Sequence, residues 1–238
     1  MSADKELDKL LSELTCRISI DDIDEDSKGT VKAFLKKELK ARTEHRMKRL
    51  LSRCGIKPKQ MRVFDQFDWN FNPKCPKQEI LAFRQSNWIQ EAANLVLIGD
   101  VGIGKTHLCK ALCYDAVVKG HQALFITVFD IVSKIKTAQS TLNRIEYYSK
   151  IDVLCLDELG YCFHSKEDTD LLFQIITKRT ECLPTIMTTN LPPKQWGTIF
   201  SGTAASAILD RLSANGKFLS WEGKPGRGVK HLAHLNKH

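Results

Sequence analysis

The run Gly99-Asp100-Val101-Gly102-Ile103-Gly104-Lys105-Thr106 constrains this chain more than any other feature. It follows the apolar stretch NLVLI (94–98) and opens the helix-like stretch THLCKALCYDAVVKG (106–120). G-x-x-x-x-G-K-T between a buried strand and a helix is the pattern of a loop that wraps phosphate groups. Gly102 and Gly104 let backbone N–H groups turn inward, and a helix starting near Lys105 aims the positive end of its dipole at the same point. A glycine turn that merely joined strand to helix would not need a Lys-Thr pair at the helix start. The pattern predicts nucleotide contacts from Gly99, Asp100, Val101, Gly102, Ile103, Gly104, Lys105, Thr106 and the adjoining His107. Lys105 is expected to reach the β- and γ-phosphates of ATP, and Thr106 to place its hydroxyl on Mg²⁺.

Beyond the loop, Leu154-Cys155-Leu156-Asp157-Glu158 reads as a buried strand ending in two adjacent carboxylates. Ligands of open α/β sheets bind at that edge. Asp157 is therefore the candidate for the Mg²⁺ shell, and Glu158 for orienting or deprotonating an attacking water. The run TIMTT (185–189) leads into Asn190 at the same edge. An amide there suits the γ-phosphate or the water, although Pro192 and Pro193 also make Asn190 a natural turn residue.

The apolar runs NLVLI (94–98), ALFIT (123–127), DVLCL (152–156), TIMTT (185–189) and KFLSW (217–221) alternate with helix-length segments. Near-continuous apolar strands in that rhythm imply an α/β fold, a parallel sheet covered on both faces by helices. Residues 5–14 and 31–53 carry apolar positions at helical spacing instead. The chain is thus expected to hold an N-terminal helical domain over 1–60 and a nucleotide-binding domain over 61–238. Phe64, Phe67, Trp69 and Phe71 lie just past the junction; core packing is the favoured reading, with base stacking as the other.

Charge is distributed unevenly over the 238 residues: positions 28–62 hold thirteen Lys/Arg against Glu38 and Glu44. Such an excess exceeds what solubility asks of a helix face and points to a polyanion, most simply nucleic acid. No apolar run approaches the roughly 20 residues of a membrane span. The acidic start MSADKELDKL is unlike a secretory leader. A cytoplasmic protein is expected. The eight cysteines show no C-x-x-C spacing and read as reduced thiols, with Cys109, Cys113 and Cys155 as core residues. His231, His234 and His238 read as a frayed tail rather than a metal site.

Taken together, GDVGIGKTHL (99–108), LDELGY (156–161), TTNLPPKQW (188–196), AILDRL (207–212) and the Glu/Arg-rich ELKARTEHRMKRL (38–50) resemble the AAA+ ATPases. Within them they resemble the IstB-like transposition helper proteins, relatives of DnaC-type helicase loaders. The resemblance implies a P-loop NTPase (AAA+) sheet, with Asn190 as the sensor-1 polar residue. It also makes Arg211 an arginine finger acting on ATP in a neighbouring subunit, with Arg179 as a second candidate. Only seventeen residues follow Trp221, so no C-terminal lid domain is expected; Arg227 is the one arginine there to consider for nucleotide contact. The implied partners are duplex DNA, a transposase and further copies of the chain in an ATP-dependent homo-oligomer. A DnaC-like replicative helicase loader is the alternative within the fold. A small-molecule kinase would need an acceptor pocket and a closing lid, and neither is evident.

Overall fold

The computed structural model describes residues 3–160, 165–200 and 204–223. The chain divides into two compact units, residues 1–49 and 50–238. The division lies ahead of the expected residue 60, because Cys54 and Ile56 are already buried and the Cys54 carbonyl accepts the Phe125 N–H.

In the first unit, α1 (Ala3–Glu13) packs against the early turns of α2, which spans Lys28–Arg53. Leu7, Leu10, Leu11 and Leu14 meet Leu35 in a small apolar cluster. Ion pairs flank it: Glu6 bridges Lys32 and Lys36, each at 2.6 Å. Arg42 donates to the Leu14 carbonyl and pairs with Glu38 one turn back.

The second unit is built on five parallel strands: β1 (Asn94–Ile98), β2 (Ala123–Thr127), β3 (Val153–Leu159), β4 (Thr185–Thr189) and β5 (Gly216–Ser220). Their spatial order is β2-β3-β4-β1-β5. Every residue of β1 and β4 is buried, as expected of strands covered on both faces. The covering helices are α3 (Lys77–Gln85), α4 (Lys105–Val118), α5 (Val128–Lys136), α6 (Thr141–Ser149), α7 (Lys166–Arg179) and α8 (Ala204–Ser213). Thr127, Ser140 and Ser165 start α5, α6 and α7 by accepting backbone N–H groups of the first turn. Helix α4 buries Cys109, Ala111, Cys113 and Ala116, whose small size lets it lie close to the sheet.

From β1 the chain crosses to the far edge at β2, returns through β3 and β4, and then steps over β1 to β5. This leaves the C-terminal end of β1 as the switch point, where an open parallel sheet has its crevice. The run 99–104 sits there.

One irregularity matters for the site. Leu156 pairs with Met187 and Leu159 pairs with Thr189, so β3 has two residues, Asp157 and Glu158, where β4 has Thr188 alone. This is a β-bulge, and it lengthens β3 beyond the expected 152–156.

Candidate active site

The loop after β1 is held by its backbone. The Gly99 N–H donates to the Thr189 carbonyl, and the next residue beyond β5, Trp221, donates to the Ile98 carbonyl. Gly99, Gly102 and Gly104 adopt φ of 144°, 86° and 103°, which L side chains rarely take. A Cβ at Gly99 would lie 2.0 Å from the Trp221 carbonyl oxygen, and one at Gly104 would lie 2.6 Å from the Phe67 ring. The cradle is thus made of bare backbone. Its chemistry fits a triphosphate: α4 starts directly after Gly104, with Lys105 and Thr106 as its first residues.

Lys105 is 9% exposed, and its ammonium donates to the carbonyls of Gly99 (2.6 Å) and Asp100 (2.7 Å). Burial pushes its pKa down, while Asp157, Asp100 and Glu158 pull it back up. The Thr106 hydroxyl donates to Asp157 Oδ1 at 3.1 Å. Hydroxyl and carboxylate oxygens side by side are the hard donors that suit Mg²⁺.

A cavity of about 200 Å³ opens between the loop and the strand ends, and Lys105, Thr106, Glu158, Thr188 and Asn190 share its wall. The structure therefore brings together the residues expected from three separate segments. Glu158 is exposed to the cavity and has φ 63°, in the left-handed region. Asn190 follows β4 directly, and the turn behind it is fixed by Leu191 N–H donating to Thr189 Oγ1 and Trp196 Nε1–H donating to the Leu191 carbonyl.

A second hollow of about 240 Å³ also borders the loop, where Arg62 and Lys110 add positive charge beside Lys105 and His107 joins the wall. His107 Nε2–H donates to the Val63 carbonyl at 3.0 Å, and its ring meets Phe67 edge to face at 5.1 Å. Burial lowers the His107 pKa. The aromatic segment divides: Phe64 is core beneath Arg84, Phe67 and Trp69 pack on each other next to the loop, and Phe71 is exposed.

Arg179 is not available to a neighbouring subunit. It is 1% exposed, and its guanidinium donates to the carbonyls of Tyr148, Ser149, Ile151 and Pro184 and to the Thr185 hydroxyl. Those groups lie at the N-terminal ends of β3 and β4, across the sheet from the cradle. Its expected second candidacy as a finger is corrected on that ground. Arg211 sits on α8, half-buried, with its guanidinium 5.0 Å from the Phe173 ring centroid and one N–H on the Ala207 carbonyl. It is outside the cavity wall among the described residues. Arg227, Cys162 and the histidines 231, 234 and 238 lie outside the described residues.

A family model described as IstB-like ATP binding protein matches residues 6–232. This chain belongs to the IstB-like family. Among curated relatives of this IstB-like chain is the ATP-binding protein of insertion sequence IS232 from Bacillus thuringiensis subsp. berliner. It is 34% identical over 197 residues, covering 81% of this chain and 78% of that protein. The replicative helicase loader DnaC of Escherichia coli (strain K12) is 30% identical over 155 residues, 61% of this chain and 62% of its own length. In fold, the chain is similar to a crystal structure of DnaI, with a TM-score of 0.58 at 22% identity over 69% of this chain and 89% of that one. The two share a fold, a parallel sheet covered by helices.

The residue that sequence reasoning passed over is Thr188. It opens Thr188-Thr189-Asn190, where residue spacing assigns a role to Asn190 alone. The only signal was a hydroxyl in a strand buried along its whole length.

Proposed function

We propose that this IstB-like protein hydrolyses ATP, and that it does so on DNA in the service of a partner transposase. One observation carries the hydrolytic part: Lys105, Thr106, Glu158 and Asn190 share the wall of one cavity, and the buried Asp157 carboxylate accepts the Thr106 hydroxyl. That is the donor set of a phosphoryl-transfer site.

In this reading, Lys105 leaves the Gly99 and Asp100 carbonyls and neutralises charge on the transferring phosphates. Backbone N–H groups of the loop 100–106 bind the remaining phosphate oxygens. Thr106 and Asp157 would hold Mg²⁺, which would supply charge stabilisation to the transferring phosphoryl group. Glu158 accepts a proton from the attacking water, and Asn190 holds that water in line. Arg211 acts in trans: the same chemistry in an assembly brings its guanidinium to the γ-phosphate of a neighbour, worth about 10³-fold or more in rate.

DNA binding is supported by the basic segment 28–62, most of it on the exposed face of α2. Transposition is favoured over helicase loading because the likeness to an insertion-sequence protein covers more of the chain than the likeness to DnaC.

The test is an ATPase panel with duplex DNA. Glu158→Gln is expected to bind ATP as wild type does and to lose turnover; lost ATP affinity would count against its role. Lys105→Ala and Arg211→Ala are each expected to be inactive alone and to regain activity when mixed, since one supplies the finger and the other the site. Mixtures that stay inactive would remove the trans role of Arg211.

A further inference from the structure

We infer that Thr188 is a positioning residue for the carboxylate pair: its single hydroxyl sets where Asp157 and Glu158 point. The inference rests on the hydrolytic reading of the cavity and adds a residue to it. Three observations meet at this hydroxyl.

The first is register. The bulge places Asp157 and Glu158 together opposite Thr188, so on the β4 side neither has a regular ladder partner, although Asp157 keeps Thr127 as its register partner on β2. The second is bonding. Thr188 Oγ1 donates to Asp157 Oδ1 and accepts the Glu158 N–H at 3.1 Å. A threonine hydroxyl has one proton and two lone pairs, and here the proton serves one acid and a lone pair serves the backbone of the other. The third is strain. Glu158 holds φ 63°, a conformation a non-glycine residue keeps only when its surroundings impose it, and the bond from its N–H to Thr188 is such a constraint.

Thr188 is 1% exposed and lines the cavity, in a strand where Ile186 and Met187 are apolar, the Thr185 hydroxyl serves Arg179 and the Thr189 hydroxyl serves Leu159 and Leu191. Its hydroxyl and that of Thr106 both donate to Asp157 Oδ1, one from the β4 side and one from the α4 side. The acid is thus fixed between the loop helix and the sheet. Threonine at 188 couples the residue that holds the cation to the residue that handles water.

The test compares Thr188→Val, which keeps the shape and removes both bonds, with Thr188→Ser, which keeps both. Thr188→Ala repeats the loss without the branched side chain in case the valine variant folds poorly. Two quantities are read: kcat with its KM, and the Mg²⁺ midpoint for binding a fluorescent ATP analogue, next to the affinity for the same analogue in EDTA. Loss of outer-shell partners of this kind costs about 10–100-fold in metal affinity or rate. The expected result is a kcat drop of that size and a raised Mg²⁺ midpoint for Val and Ala, unchanged EDTA affinity, and recovery in Ser. Wild-type kcat and midpoint in Thr188→Val would overturn the inference. So would a serine variant as impaired as the valine one, or a parallel loss of EDTA affinity, which marks general damage to the site. If wild-type protein itself shows no turnover, the hydrolytic reading falls, and the Mg²⁺ midpoints alone decide the role of Thr188.

Discussion

Arg179 brings a full positive charge to the closed end of the sheet with carbonyl oxygens and a hydroxyl, rather than a carboxylate, as its hydrogen-bond acceptors. Burial pushes its pKa down to about 10, so it stays charged at neutral pH. It ties the end of α6, the entry to β3 and the entry to β4 into one knot. Arg179→Met removes the donors and leaves several buried carbonyls without partners, at about 1–3 kcal/mol each where water cannot reach them. The expected outcome is a denaturant midpoint lower by at least about 3 kcal/mol in unfolding free energy, with the ATP affinity of the folded fraction retained. An unshifted midpoint would show that the knot is dispensable. The contrast with Lys105 and Asp157 explains what was legible. Lys105 belongs to the loop spacing G-x-x-x-x-G-K-T and Asp157 to the end of an apolar strand run, so their places follow from the chain itself. Arg179 and Thr188 take their places from helix packing and from a bulge, and neither leaves a mark in residue spacing.

At the scale of elements, the helix pair α1 and α2 is joined by charges as well as by leucines. Hydrogen bonds from Lys32 and Lys36 hold the Glu6 carboxyl at about 2, against an ordinary 4.5. A carboxyl with a depressed folded pKa contributes stability above about pH 4.5, and that contribution drains away as pH falls from 4.5 towards 2. A carbon-detected NMR titration of Glu6 should therefore show its midpoint near 2. Amide protection of residues 3–13 should decline over the same window, and Glu6→Gln should remove that decline. A Glu6 midpoint at 4.5 would show that the pairs do not persist in solution. The strands themselves were readable, because runs such as NLVLI and TIMTT must be buried on both sides. Their order was not, since nothing in an apolar run says which neighbour it will pair with.

At the scale of the molecule, the basic segment 28–62 and the nucleotide site fall largely in different units. If α2 meets duplex DNA, each phosphate it neutralises contributes about 0.9 to the slope of log K against log salt. Lys37, Lys40 and Lys48 are exposed, and replacing all three with Gln should flatten that slope by up to roughly 3, at about 0.9 for each lysine that touches phosphate. An unaltered slope would move the DNA contact to the second unit. The sheet itself carries a different kind of separation. Because β3 has a surplus residue opposite β4, the backbone N–H of Glu158 goes to a side chain and not to the ladder. Folding leans on the apolar neighbours in that strand, whereas the proposed hydrolysis leans on the residue left over. Under that proposal, mutation at the surplus position can silence the chemistry while the scaffold still assembles, and a lineage can keep the fold after its ability to burn fuel has gone.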